Sequence, residues 1–356
     1  MDLPDVVIAN LHRRRTGVSA TVAALVPVQR AGIELAVVDS GGLGLGGAWR
    51  FRDVVRAGWT PPEAGRFRVW HARRNNEMQA GLFLRDVLRQ PWKLVFTSAA
   101  PRRHGRILRG VMNRMDAIVA TSARAAGLLD WYSVIVPHGV DTDLFHPPAD
   151  RAAAWAEGGL PGTRGIGAFG RIRPSKGSDL FVEAMCRLLP AYPGWTAFLT
   201  GLCQERDRRF FAGLRARIAR AGLADRIFFL GDLAPAEIRA WYRRASLVVA
   251  ASRSEGFGLT PLEAFASGAP AVTSRAGVWP DLVTPEFGAL FDTGDVDGLI
   301  AALRPLMADP DRVAAMGQAA RSHTVAHHAI AEEAAALNAL YAGLQAGRAP
   351  QRRTTS

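Results

Sequence analysis

The sequence predicts an α/β fold built as two Rossmann-like domains, each a parallel sheet covered by helices. Two observations carry the prediction. Short apolar runs rich in Val, Ile and Ala alternate with helical runs, and the alternation halts at a diproline before starting again. Strands alternating with helices form parallel sheets covered on both faces. A chain of 356 residues suits two such domains, each able to bury its own core.

In order, Val6-Val7-Ile8-Ala9 reads as the first strand, a polar loop covers residues 10–19, and a helix runs over about 21–31. Further strands are predicted at 33–38, 68–70, 94–96, 117–120 and 134–136. Phe145-His146-Pro147-Pro148-Ala149-Asp150 reads as a linker, because consecutive prolines resist regular structure. The second series opens with a strand at 166–169. A helix at 179–189 follows, with Leu180, Phe181, Ala184, Met185 and Leu188 at helical spacing. Strands are predicted at 196–200, 227–230, 247–251 and 271–273, and an Ala-rich helix over 326–344. The expected organisation is an N-terminal domain at 1–148, a C-terminal domain at 149–325, a terminal helix at 326–346 and a disordered tail at 347–356.

Composition narrows the classes. No apolar run reaches the roughly 18 residues of a membrane-spanning helix, and Met1-Asp2-Leu3-Pro4-Asp5 lacks the basic start of a signal peptide. Cys186 and Cys203 read as buried free thiols, which fits a cytoplasmic protein. The formal charge is +12. It is uneven, with 20 basic against 12 acidic residues in 1–149 and 24 against 20 beyond. Such an excess favours an anionic partner, either a phosphorylated acceptor or an acidic membrane surface. In Arg102-Arg103-His104-Gly105-Arg106-Ile107-Leu108-Arg109, residues Arg102, Arg106 and Arg109 share one face if helical. Nucleic acid is not the expected partner, since no binding motif with interleaved aromatics occurs.

Glu255-Gly256-Phe257-Gly258-Leu259-Thr260-Pro261-Leu262-Glu263 is the most informative segment. A strand-like run enters it and a helix-like run, 260–267, leaves it. A glycine-rich turn at a helix start presents unpaired N–H groups and the positive end of the helix dipole, which suits phosphate. Ionised Glu255 and Glu263 accept hydrogen bonds only, which suits sugar hydroxyls. Together they describe a nucleotide-sugar pocket. A second motif, Gly170-Arg171-Ile172-Arg173-Pro174-Ser175-Lys176-Gly177, lies between a predicted strand and helix. Arg171 and Lys176 there could neutralise a diphosphate at the strand's ligand-binding end. Arg173 is not assigned.

The segment E-G-F-G-L-T-P-L-E-A-F-A-S-G-A-P, from Glu255 to Pro270, resembles the donor-site signature of retaining GT-B glycosyltransferases of family 4. The G-R-x-x-x-x-K-G motif resembles the same family's diphosphate loop. By that resemblance Arg171 and Lys176 hold the donor phosphates, with the N–H groups of Gly258, Leu259 and Thr260 beside Phe257. Glu255 contacts the donor sugar and supports its transition state, and Glu263 holds the ribose. Gly17 resembles the family's short glycine loop under the diphosphate, where a missing Cβ allows close backbone approach. His71 resembles the family's active-site histidine and is expected at the cleft edge, near the transferred sugar. The family resemblance also implies two domains facing across a cleft, with the last helix crossing back to the first.

W-H-A-R-R-N-N-E-M, F-T-S-A-A-P-R-R-H, M-D-A-I-V-A-T-S and H-G-V-D-T-D-L-F look like lipopolysaccharide core mannosyltransferases. The resemblance implies a nucleotide-sugar donor, GDP-mannose, and an anionic glycolipid acceptor, with peripheral contact on the cytoplasmic face of the inner membrane. It implies no cofactor and no essential metal. Another NDP-hexose glycosyltransferase, a GT-B epimerase and a non-catalytic nucleotide or glycan binder remain as alternatives. Gly42-Leu43-Gly44-Leu45-Gly46-Gly47 satisfies a dinucleotide fingerprint, with Glu63 as its ribose acid. It follows the second strand rather than the first, and Trp49-Arg50-Phe51-Arg52 poorly suits the tightly packed helix required. Asp141-x-Asp143, Asp295-x-Asp297 and Asp309-x-Asp311 are scattered turn sequences rather than a metal motif.

Overall fold

Val6–Asn10 (β1) is buried at every position, as a strand covered on both faces must be. In the computed structural model, which describes residues 3–13, 17–60, 62, 67–99 and 103–354, it lies within one of two compact units. The first unit comprises Met1–Gly139 and Ile330–Ser356, the second Val140–Ala329. The first unit continues with β2 (Leu35–Asp39), β3 (Ala48–Trp49), β4 (Arg68–Ala72), β5 (Trp92–Ser98), β6 (Ala117–Ala120), β7 (Trp131–Tyr132) and β8 (Val134–Ile135). Its sheet runs β3-β2-β1-β4-β5-β6-β8, and every pairing is parallel.

Side chains alternate faces along each strand. Val6 and Ile8 pack with Val22 and Leu25 of helix Gly17–Arg30 and with Leu337 and Tyr341 of helix Ile330–Gln345. Val7 and Ala9 join Trp70, Leu94 and Phe96 on the opposite face. Each fully buried side chain of this kind contributes about 1.5–3 kcal/mol. The terminal helix is also tied by polar contacts: Gln29 Nε2 donates to Asn338 Oδ1 at 2.9 Å, and Glu333 accepts from the Gly139 N–H at 2.8 Å.

The second unit contains β9 (Arg164–Phe169), β10 (Trp195–Thr200), β11 (Ile227–Gly231), β12 (Ala245–Ala250), β13 (Ala271–Ser274) and β14 (Gly288–Phe291). Their order is β11-β10-β9-β12-β13-β14, again wholly parallel. Leu247 and Val249 face one core with Ile166, Phe181 and Met185, while Val248 and Ala250 face the other with Phe198 and Phe265. In both sheets the chain winds outward from a central first strand and then reverses. The reversal points lie between β1 and β4 and between β9 and β12, where open α/β sheets bind ligands.

Several expectations need correction. The units divide at Gly139 and Val140, ahead of the diproline. Arg321 Nη1 holds the intervening segment on the second unit, donating to the carbonyls of Thr142, Phe145 and Ala266 at 3.0, 2.9 and 2.8 Å. The Ala-rich run is not one helix: Pro310–His327 ends before Ile330–Gln345 begins, and Val140 donates to the His328 carbonyl at the break. The first helix starts at Gly17 rather than near Thr21. Within the tail, Arg353–Thr354 forms β15, antiparallel to β7, with the Arg352 guanidinium 4.0 Å from the Trp131 ring. The open edge at β7 and this cation–π contact give the tail an ordered seat. Cys186 and Cys203 are free and only half-buried.

A buried polar group beneath the terminal helix contributes to the acid response. His71 lies in β4 with no solvent exposure, and desolvation followed by the neighbouring Arg73 and His138 charges holds its pKa well below 6.5. Glu333 pairs with His138 at 2.8 Å; burial alone would raise its pKa, but the His138 charge and hydrogen bond hold it below 4.5. Below pH 6.5 the unfolded chain protonates His71 while the folded chain does not, so stability falls with pH. Below pH 4.5 Glu333 adds a loss of the same sign as its folded pKa is approached. Thermal melting is therefore expected at a near-constant midpoint around pH 7–8 and a declining one from about pH 6.5 downward, with His328, lowered by burial to about 4, and His323 adding to the same slope. His71→Asn should flatten the first part of that slope. An unchanged slope would remove His71 as its cause.

Candidate active site

The two motifs meet at the reversal point of the second sheet. β9 ends at Phe169 and leads through Gly170 and Arg171 into a 3-10 turn, Pro174–Lys176, and then helix Ser178–Leu188. β12, its neighbour, leads through Ser252 and Glu255 into helix Thr260–Ala266. The loops lock together. Arg253 donates its backbone N–H to Ser175 O at 2.9 Å and forks onto both Asp179 oxygens at 2.7 and 2.6 Å.

Lys176 Nζ forms an ion pair with Glu255 Oε2, the same oxygen that accepts from Ser252 Oγ at 3.1 Å. Both side chains are largely buried. Arg171 is half-buried and has no ion pair among the described residues. Beside it, burial and then the Arg171 charge lower the Arg173 pKa, and Arg173 Nε is buried without a hydrogen-bond partner. Arg171 lines the cavity and Arg173 lies beside it, with the Asp207 and Glu255 charges partly offsetting the repulsion on Arg173.

Gly258 sits at φ +71, where a Cβ would come within 2.6 Å of Glu255 Cγ and 2.8 Å of Trp279 Nε1. Trp279 Nε1 donates to Gly258 O at 2.9 Å. The glycine thus lets the turn close over Glu255. Glu263, one turn into the helix, accepts from Tyr242 OH at 2.7 Å, and burial raises the pKa of both groups. Tyr242 stacks on Phe169 at 3.7 Å and 7°. Glu263, Tyr242, Arg171, Gly170, Leu202 and Asp232 are among the residues lining a cavity of about 390 Å³. A smaller recess beside it is lined by Lys176, Gly177, Ser178, Ser252 and Thr260. The arrangement can bind a diphosphate with cations and hold hydroxyls with two acids.

Arg171, Lys176, Glu255, Gly258, Thr260 and Glu263 are therefore gathered on one rim. Leu259 lies in the same turn and packs partly on the core. Phe257 differs, because its side chain is buried in the core rather than facing the cavity. His71 also differs. Its Nδ1 shares a 2.5 Å hydrogen bond with Tyr341 OH and its Nε2 a 2.7 Å bond with Thr97 Oγ1, so the buried ring has no nitrogen left for a substrate. Gly17 begins a helix, and a Cβ at that position would meet no atom of the described residues within 4 Å. Arg102 and Glu63 lie outside the described residues, and Arg109 forks onto Asp130 at 2.9 and 2.7 Å.

Tyr242, Ser252 and Arg173 go unassigned by sequence alone. Tyr242 and Ser252 act through residues that only folding brings near, while Arg173 stands in plain view inside the phosphate motif. In the first unit, buried Glu77 accepts from the N–H groups of Leu11 at 3.2 Å and Arg73 at 2.8 Å and pairs with Arg74 at 2.8 Å. That anchors the start of the loop after β1. Tyr242→Phe should leave the fold intact and raise the donor KM about tenfold with a smaller change in kcat, the scale of one hydrogen bond to a charged group. Equal donor KM values would separate Tyr242 from the site.

Two Rossmann-like domains built on parallel sheets define the GT-B type of glycosyltransferase fold. Residues 159–323 match the family model "Glycosyl transferases group 1". The chain belongs to this family and is a glycosyltransferase. It is 44% identical to the lipopolysaccharide core biosynthesis mannosyltransferase LpcC of Rhizobium leguminosarum bv. viciae, over 96% of each chain. It is 42% identical to the corresponding enzyme LpsB of Rhizobium meliloti, over 96% of this chain and 97% of that one. Among solved structures, Anabaena Alr3699/HepE in complex with UDP shares the fold at a TM-score of 0.79 and 18% identity, covering 96% of this chain and 99% of the other. Among the described residues no helix is long and apolar enough to cross a membrane.

Proposed function

We propose that this glycosyltransferase transfers mannose from GDP-mannose to lipopolysaccharide core or a related lipid-linked glycan, with retention of anomeric configuration. The observation that carries the reading is the cavity lined by Arg171 and the Tyr242-held Glu263, with Lys176, paired to Glu255, lining the adjoining recess. The names of the LpcC and LpsB relatives support the sugar and the acceptor.

Breaking the anomeric C–O bond leaves negative charge on the nucleoside diphosphate. Arg171 and Lys176 stabilise it by preorganised electrostatics, together with the N–H groups around Gly258, Leu259 and Thr260. Glu255 accepts from donor-sugar hydroxyls and supports the positive charge that develops on the sugar. Glu263 holds the ribose. The acceptor hydroxyl attacks from the face the diphosphate leaves and gives its proton to the leaving phosphate, with no covalent nucleophile. His71 has no part in contacting the sugar. The cations take the role a divalent metal would play, so no metal is required. The basic N-terminal part faces an anionic acceptor or the cytoplasmic leaflet of the inner membrane.

The test is turnover of GDP-mannose with a lipopolysaccharide core acceptor in excess chelator, with the product read by NMR. GDP release with an α-mannoside product is expected. A β-product would exclude retention, and activity lost to chelator and restored by manganese would overturn the metal-free reading. Failure of GDP-mannose beside consumption of another NDP-hexose would reassign the donor.

A further inference from the structure

We propose that Asp232 reads the nucleobase of the donor and makes the pocket select guanine. The inference rests on the reading of the 390 Å³ cavity as the nucleoside site. Asp232 directly follows β11, at the ligand-binding end of the sheet, and lines that cavity opposite the phosphate loops. From β9, whose following loop carries Arg171, the sheet steps through β10 to β11. Two strand spacings amount to about 10 Å, the reach of a ribose with its base from a phosphate bound at Arg171. Glu263 and Tyr242 line the same cavity, where the ribose would lie.

The wall near Asp232 suits a flat ring. Leu202, after β10, is 44% exposed, and Ile238 and Phe169 add apolar surface. Asp232 is exposed to solvent and makes no ion pair or hydrogen bond with the described residues, so its two oxygens are open to a ligand. The nearby cations serve the phosphates, and a carboxylate placed among anion-binding groups works against phosphate binding unless it has donors of its own to meet.

Base chemistry then decides the ligand. An ionised carboxylate only accepts hydrogen bonds. Guanine presents N1–H and the N2 amine side by side, matching two carboxylate oxygens. Uracil presents one N–H flanked by two carbonyl oxygens. Adenine sets its N6 amine beside the N1 acceptor. Against either, one carboxylate oxygen meets an acceptor, so discrimination comes from repulsion as well as attraction.

The experiment is titration calorimetry of the full chain and of Asp232→Asn with GDP, UDP and IDP, whose base is guanine without the N2 amine. For the native chain, GDP should bind about tenfold tighter than IDP, with UDP weaker still, the scale of a hydrogen bond to a charged acceptor. Asp232→Asn should weaken GDP about 10- to 100-fold without weakening UDP, and should melt like the native protein because the side chain is exposed. A variant that keeps the full GDP-over-UDP preference would overturn the role of Asp232 and leave the donor site standing. A native chain that binds none of the three diphosphates would overturn the nucleoside reading of the cavity, and the assignment of Asp232 with it.

Discussion

Lys176→Ala should lower kcat/KM about 10²- to 10³-fold, the usual cost of one preorganised donor aimed at developing charge. The structure gives that number a second cause. Lys176 is paired with Glu255, and both are mostly out of solvent. Removing only the lysine leaves a half-buried carboxylate without its cation, beside the proposed diphosphate position. Ground-state binding should therefore weaken along with the chemical step. A double variant separates the two effects. Lys176→Ala with Glu255→Gln should regain part of the lost GDP affinity, because the unpaired negative charge is gone, while turnover stays low because neither the phosphate cation nor the sugar-side acid remains. Calorimetry and initial rates check the two arms. Turnover of Lys176→Ala within about threefold of the native enzyme would sink the phosphate role.

The same pair marks how far sequence reasoning reaches. Both motifs sit on consecutive residues after a strand, so their chemistry and their shared edge follow from local pattern, and the parallel sheets follow from apolar runs such as Leu247-Val248-Val249. Local pattern misplaces His71 for a long-range reason. Its partner Tyr341 lies 270 residues away and arrives only when the terminal helix packs on β4. No local spacing encodes that. Phe257 shows that a residue inside a glycine-rich turn can point its side chain into the core, and the turn's glycines give no sign of that direction. The diproline looks like a boundary because proline blocks regular structure, yet irregular backbone can be held firmly. Arg151 shows how: its guanidinium donates to the carbonyls of Arg243, Ser267 and Gly268 at 2.8, 2.8 and 3.0 Å, and burial lowers its pKa only to about 10, so the charge persists. Cations at two helix C-termini are favoured there.

Two glycines that the sequence assigns to phosphate loops should respond oppositely to alanine. Gly177 takes φ +69, and a Cβ there would lie 2.0 Å from the Ala251 carbonyl oxygen. That oxygen is backbone on the neighbouring loop, so relief requires moving the chain that carries Ser252 and Glu255. The Arg253 contacts to Ser175 and Asp179 resist such a shift. Left-handed backbone costs a non-glycine residue about 1–3 kcal/mol, and the overlap adds to it, so Gly177→Ala should destabilise the second unit by about 3–5 kcal/mol. Any folded fraction should bind GDP poorly, since Lys176 precedes the displaced residue. Gly17 lacks both constraints, and Gly17→Ala should melt at or slightly above the native midpoint, because alanine lowers the entropy of the unfolded chain. Melting followed by circular dichroism compares the pair under one condition. A Gly177→Ala protein melting within about 2 °C of native, where several kcal/mol should shift it further, would show that the two loops are free to part.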